Sequence, residues 1–341
     1  MQNCLNYRQL HTGKISGIFA AAKLVVATWD HPREMIHTGN GRMKDGILTD
    51  TLVHLSSRGL KRCIAELHLT HYFTTVELDD GSVGACMSYY NLPDSILDAA
   101  ERQIAVHCAN DPFVMQDEAT VTGIIENCVH DEKQRYFLAT SVRATLASAL
   151  SAPFIRDGGD EFFKVVARRP ANWAYGAETA LVVGFGGLLG PLISETTVKK
   201  IHALDLYYER RRDELEAKLS QYRNQHPEKT ITISARLEHS GQLRDFDLLS
   251  ITGSTLCNGT LEYFLANVRH DASVILQGQS ASLHPKALFE AGVKWVATTL
   301  KPREVTMIAR ENHDGEALRP LLEGGLQWIY LVPRNDKNGA P

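Results

Sequence analysis

Thr179-Ala180-Leu181-Val182-Val183 runs without a break into Gly184-Phe185-Gly186-Gly187-Leu188-Leu189-Gly190. A short uncharged, β-branched run of this kind reads as a strand buried on both faces. The glycine turn that follows and opens a helix is the strand-to-helix junction of a Rossmann-like domain. Glycine takes positive φ and lets the backbone approach a ligand closely, while the helix N-terminus offers unpaired amides. The spacing is GxGxxxG rather than GxGxxG, so the dinucleotide fingerprint is not met as written. Two readings of the turn stand: a cradle for a ligand, or a tight turn for helix–sheet packing alone.

Downstream of this junction strands and helices alternate, the pattern of a mainly parallel sheet covered on both faces. Strands are expected at residues 179–183, 200–206, 230–237, 246–251, 273–277, 294–298 and 328–332, with helices at 208–223, 259–267 and 285–291. The rules of such sheets place the binding crevice at the carboxyl ends of the first and fourth strands. Upstream, apolar positions from Ile47 to Leu67 recur near helical spacing, broken by Gly59. The segment from Thr70 to Leu78 is β-branched and aromatic, and Asp79-Asp80-Gly81 before Ser82-Val83-Gly84-Ala85-Cys86-Met87 marks a hairpin. A helix over 135–150, with Ala139, Ala144, Ala147 and Ala149, closes a small unit.

The expected class is therefore α/β: a C-terminal Rossmann-like, mainly parallel sheet preceded by a smaller α+β domain. The expected boundaries are an N-terminal extension at 1–42, the α+β domain at 43–165, the ligand-binding domain at 166–335 and a tail at 336–341. No function is assigned to the extension. A net charge of −4 with scattered Lys and Arg gives no footprint for nucleic acid or an anionic membrane. The N-terminal apolar stretch carries Lys23 and is too short to span a bilayer. Six cysteines without a CxxC suggest reduced thiols and a cytoplasmic location. The partner expected is a small-molecule substrate, with no nucleic acid and no membrane, and a homodimer is the assembly considered.

Candidate site residues come from the strand ends. Gly184, Phe185 and Gly186 form the turn. Asp205, about 20 residues on, suits the acid that accepts from ribose hydroxyls, although a carboxylate there also favours the dipole of the next helix. Glu238 follows the third strand and suits an adenine amino group, or is simply solvated. Thr252, Gly253, Ser254 and Asn258 lie on a polar loop after the fourth strand, where a rigid sheet positions reactive groups. Asn258-Gly259 also fits a helix cap. Trp173, Tyr175, Tyr207 and Tyr208 flank the first two strands, and Tyr175 is assigned the aromatic face that holds a soft cation; a lid on the interdomain seam is the competing reading. No metal ligand set is expected: His68 and His71 have strand spacing that sends them to opposite faces, and His202, His239 and His284 come from separate strand ends.

The run from Asp247 to Thr260, with Gln277-Gly278-Gln279-Ser280 and Leu283-His284-Pro285, resembles the signature of a Rossmann-like family named for heavy-metal chelation. That family commonly has proline where this chain has Gln279. Val76-Glu77 through Gly84, and Ser141 to Pro153, are similar to the enolase-N-terminal-like domain that precedes the Rossmann domain there, so the resemblance covers most of 51–333. A second resemblance is to class I S-adenosylmethionine enzymes, in which a glycine turn, a ribose-binding acid and an FDLL strand occur in this order; Val182 stands where those enzymes usually carry an acid. It implies S-adenosylmethionine as substrate or cosubstrate. The function expected is displacement of a carbon from its sulfonium. This is either cyclisation to azetidine-2-carboxylate with release of methylthioadenosine, as in azetidine-2-carboxylate synthases, or methyl transfer in small-molecule secondary metabolism. Tyr175, Asn258 and Ser254 are the expected catalytic residues of this cyclase (lyase-type) or transferase. A non-catalytic protein binding a metal chelate or nucleotide metabolite is the alternative.

Overall fold

The computed structural model describes residues 46–312 and 315–334; the expected extension and tail lie outside them. The described chain opens with helix α1 (Gly46–Ser57) and a three-stranded antiparallel sheet, β1 (Ile64–Leu69), β2 (Phe73–Leu78) and β3 (Val83–Met87). The helix expected to run to Leu67 stops ten residues earlier. Gly59, at φ +68°, reverses the chain, and Ile64 and Leu67 belong to β1 instead. The hairpin forms as its residues demand: Gly81 sits at φ +77° and its amide donates to the Leu78 carbonyl at 2.9 Å.

Helices α2 (Asp94–Cys108), α3 (Glu118–Ile125) and α4 (Glu132–Arg156) follow. Asp117 and Asp131 cap α3 and α4 through the amides of Thr120 and Gln134. Small residues let α4 lie close on β3. A Cβ added to Gly84 would stand 2.1 Å from the Thr145 carbonyl oxygen. Arg143, fully buried on α4, is satisfied by the carbonyls of Met115 and Gln116 and by the Thr49 hydroxyl. Among the described residues α4 is the one helix long and apolar enough to cross a membrane, and 89% of its apolar window is buried inside the fold.

The second sheet comprises β4 (Phe163–Val166), β5 (Thr179–Val183), β6 (Lys200–Leu204), β7 (Thr230–Ser234), β8 (Leu248–Thr252), β9 (Ser273–Gln277), β10 (Val293–Thr299) and β11 (Trp328–Pro333). Its helices are α5 (Leu189–Glu195), α6 (Arg212–Gln225), α7 (Ser254–Cys257), α8 (Leu261–Asn267), α9 (Lys286–Glu290) and α10 (Glu304–Glu311). The strand order is β4-β11-β10-β9-β8-β5-β6-β7, with β10 through β7 parallel and the β11 and β4 pairings antiparallel. Counted from β5, the parallel strands stand in the order 3-2-1-4-5-6 of dinucleotide-binding sheets, and the order reverses between β5 and β8. Val183 pairs with Leu204 on one side and Ile251 on the other, so the glycine turn emerges at that switch point.

Both sheet faces are buried, which is why these strands are continuously apolar. Ala180, Val182, Ile201, Leu248 and Ile275 pack under Leu192 of α5 and Leu219 of α6. Leu181, Val183, Leu249, Ile251 and Leu276 share one core with Leu146 and Leu150 of α4. Asp247 ties the amino ends of β5 and β8: its carboxylate accepts from the amides of Glu178 and Thr179 at 2.9 and 2.8 Å and from Arg269 at 2.8 Å.

All seven expected strands exist, but β4 was not foreseen, and the expected boundary at 165/166 falls inside it. Helix α10 departs from that division too. Val305 and Ala309 pack on Phe73, Val83 and Ala85, so a C-terminal helix completes the core of the small sheet.

Candidate functional site

The glycine turn is held by side chains from its neighbours. Gly184 sits at φ +88°, and a Cβ there would meet the Thr252 side chain at 3.1 Å. Gly187 sits at φ +50°, and a Cβ there would lie 1.9 Å from the Gln277 amide oxygen. That oxygen accepts the Leu188 amide at 2.6 Å, so it fills a position at the start of α5 where an anion would otherwise bind. Gly186 has nothing within 4 Å of its would-be Cβ and is the open member of the turn. Phe185 is half-buried against the sheet face under α5.

Asp205, 6% exposed, stands just beyond β6. One carboxylate oxygen accepts the Phe185 amide at 2.9 Å and the other the Tyr207 amide at 2.8 Å. The acid and the turn are thus brought together at the switch point. Each oxygen keeps a second lone pair beyond the bond it already accepts.

The loop after β8 is largely buried. Thr252 and Ser254 face each other through their hydroxyls at 3.1 Å. Gly253 allows the neighbouring loop to close, because a Cβ would meet the Ala281 amide nitrogen at 2.6 Å. Asn258 is 6% exposed, and its side-chain oxygen accepts from the amide and the hydroxyl of Thr260 at 3.1 and 2.6 Å. These two bonds close a local turn over Gly259 between α7 and α8, in which Thr260, not Asn258, is the N-cap of α8. Glu238 is exposed, with its amide donating to the Gln242 side-chain oxygen at 2.8 Å.

Tyr175 corrects the expectation for a catalytic aromatic. It lies before the first residue of β5, at the opposite end of the strand from Gly184, and is 89% exposed. Its neighbour Trp173 packs edge-on against Trp295, near the amino end of β10, at a 6.0 Å centroid separation. Aromatic groups at the switch point include Phe185 of the turn itself, Tyr207, whose amide donates to Asp205, and Tyr89, from the segment after β3. The Tyr89 phenol interacts with Ser254 and lies near Tyr207 and Asp205; burial pushes its pKa up, reinforced by the Tyr207 phenol. Burial likewise raises Tyr207. Both phenols are neutral at physiological pH.

The histidines singled out in the sequence do not converge on one another. His68 contacts Glu66 at 3.1 Å and His71 contacts Asp94 at 2.8 Å. His202 bonds Thr232 and Ser234 at 2.8 and 2.9 Å, and burial lowers its pKa. His284 is buried, 2.8 Å from the Asp160 carboxylate and beside His54.

Residues 180–323 match the family model DUF364, described as "Putative heavy-metal chelation". A DUF364 protein of unknown function from Desulfitobacterium hafniense DCB-2 is similar at 15% identity, covering 85% of this chain and 100% of that one, with a TM-score of 0.50. A second, from Pyrococcus horikoshii, is similar at 13% identity over 84% of this chain and 99% of that one, TM-score 0.49. A mandelate racemase/muconate lactonizing protein from Herpetosiphon aurantiacus shows 11% identity over 72% and 95% of the two chains, TM-score 0.32. No curated protein matches the chain. The Desulfitobacterium likeness establishes a common fold, with its mainly parallel C-terminal sheet and small antiparallel N-terminal sheet.

Four residues escaped the sequence reading. Gln277, the polar end of the strand Ser273–Gln277 and part of the run quoted for the family resemblance, has no role of its own in that reading. Asp160 stands beside Gly158-Gly159 with no histidine near it in sequence to mark it as a ligand. Tyr89 and His54 had no local signal, because their neighbours come from distant segments.

Proposed function

We propose that the crevice between β5 and β8 binds S-adenosylmethionine and that the protein is an enzyme acting at its sulfonium. The observation that carries this reading is the contact of Asp205 with the glycine turn. It puts an acid suited to a ribose within one hydrogen bond of a backbone open at Gly186. Tyr89 and Tyr207 supply the aromatic faces for the sulfonium, in place of Tyr175. Occupation of the α5 amide by Gln277 disfavours a pyrophosphate there and suits a ligand without one.

In the cyclisation the α-amine lone pair attacks the γ-carbon, the carbon–sulfur bond breaks, methylthioadenosine leaves and the ammonium proton passes to solvent. The step needs a neutral amine and a held conformation more than a strong base, which suits a site of hydroxyls and neutral phenols. In the methyl-transfer version a small-molecule nucleophile takes the methyl group and S-adenosylhomocysteine leaves. Incubation with S-adenosylmethionine, alone and with a mixture of small-molecule nucleophiles as methyl acceptors, followed by mass spectrometry, tests the reading: methylthioadenosine in the first or S-adenosylhomocysteine in the second must accumulate with enzyme concentration. The family description favours a second reading, a non-catalytic protein holding a metal chelate or nucleotide metabolite in the same crevice. Under it, binding occurs and neither product forms.

A further inference from the structure

We propose that His54, Asp160 and His284 form a binding site for a divalent transition-metal ion of the zinc class, separate from the crevice. The three residues arrive from α1, from the turn before β4 and from the loop after β9. One donor atom of each lies within 4.8 Å of the other two. Three donors at about 2.0–2.2 Å from a tetrahedral ion stand roughly 3.4 Å apart, so the trio needs shifts of about an ångström or less. Phe163, just after Asp160, pairs with Pro333 at the far end of β11, whose first residue meets the carboxyl end of β10. The cluster is therefore level with the amino ends of the parallel strands, opposite the glycine turn.

An unsatisfied atom marks the site. His54 Nε2 is buried and has no hydrogen-bond partner, an arrangement that is unfavourable unless something occupies it. The other two donors are aimed by their surroundings. Asp160 follows Gly158 and Gly159 at φ +88° and +105°, and its carboxylate also accepts the Phe162 amide at 2.9 Å. The His284 amide donates to the Ser151 hydroxyl at 2.7 Å. Its Nε2 faces Asp160, and its Nδ1 meets the Lys286 amide at a long 3.4 Å. Ligation through Nε2 moves the ring proton to Nδ1, which loosens that long contact and replaces the 2.8 Å hydrogen bond between Nε2 and Asp160 with the bonds each makes to the ion. Such outer partners orient metal ligands. The rings of Phe154, Phe162 and Phe163 pack around the histidines at centroid separations of 5.1–6.0 Å and screen the site from water.

Charge and donor type select the ion. Arg58 is paired with Glu161 and also stands 3.8 Å from the Asp160 carboxylate, Lys286 is paired with Glu290, and the Arg334 guanidinium sits on the Asp160 backbone carbonyl. Local charge is close to balanced, so the site offers no acidic cage for calcium or magnesium. Two imidazoles and one carboxylate match zinc, cobalt or nickel. Three protein donors leave the fourth position of a tetrahedral ion to water.

The test uses the full chain, its affinity tag removed, dialysed against chelator and titrated with Co²⁺. The expected result is one ion per chain, with the visible absorption of a four- or five-coordinate cobalt ion, displaced by Zn²⁺. His54→Ala and His54→Phe should each weaken Co²⁺ binding at least about 100-fold, given that even outer-sphere changes cost 10–100-fold. His54→Phe keeps a ring against His284 and Phe162. Failure of the parent to bind stoichiometrically, or equal affinity in a folded His54 variant, overturns the proposal. Methylthioadenosine release does not enter either outcome, so the crevice reading stands or falls separately.

Discussion

The Asp205 carboxylate accepts the Phe185 amide at 2.9 Å, across twenty residues of sequence, and its second oxygen accepts the Tyr207 amide. This one side chain joins the end of β6 to the turn after β5 and fixes the path of both. Asn at this position offers one acceptor oxygen for two donors. Asp205→Asn should lower stability by about 1 kcal/mol and weaken an adenosine ligand by roughly 1.5–3 kcal/mol, since a charged acceptor is lost. Urea unfolding and calorimetry measure the two effects. Unchanged affinity in a folded variant removes the ribose role.

Gly186 and Gly187 should separate binding from stability. Gly186 faces open space, so Gly186→Val should hold its melting temperature within a few degrees and lose affinity about 10-fold or more. Gly187→Ala drives a Cβ into the Gln277 amide at positive φ and should cost about 1–3 kcal/mol of stability. Thermal melts of both variants check this pair.

Asn258→Ala should destabilise by about 1 kcal/mol through loss of the two bonds its side-chain oxygen accepts from Thr260, with little effect on turnover by the folded fraction. Tyr89→Ala should lower turnover about 10-fold or more, and Tyr89→Phe much less, because the ring face remains. Tyr175→Ala should be silent. Product release by the four variants at a temperature where each is folded decides between the tyrosines.

Much of the fold was legible because burial on both faces makes β5, β8 and β9 read as apolar runs, and glycines mark their ends. The position of Asp205 just beyond β6 was also legible, since its offset from the turn follows from one strand–helix–strand unit; its bond to the Phe185 amide was not. What sequence could not supply was vertical position. Tyr175 and Tyr89 are both aromatic residues beside a strand, and only three-dimensional pairing puts one at the wrong end of β5 and the other against Ser254. Asn258 carried a cap signal and a site signal together; the structure ties its side chain to Thr260 in a local turn and makes Thr260 the residue that starts α8. Edge strand β4 was missed because four residues with one fully buried side give too short a period to read.

Lys301 gives a pH signature. Burial lowers its ammonium from the ordinary 10.5 to about 7, although Gln279, Ser282 and Thr299 all accept from it. Above pH 7 the unfolded chain keeps this proton and the folded chain releases it, so stability rises with pH. Between pH 7 and about 8.5 the parent should gain up to about 2 kcal/mol relative to Lys301→Met, at ~1.4 kcal/mol per unit. Parallel urea-midpoint profiles for the two proteins would show that the lysine does not titrate in this range.

The most direct test of the crevice is calorimetric titration of the parent protein and Gly186→Val with S-adenosylmethionine under the same conditions. The account predicts saturable binding of one ligand per chain to the parent, and affinity at least about 10-fold weaker in the variant at an unchanged melting temperature. Absence of saturable binding to the parent, or equal affinity in the variant, would contradict it.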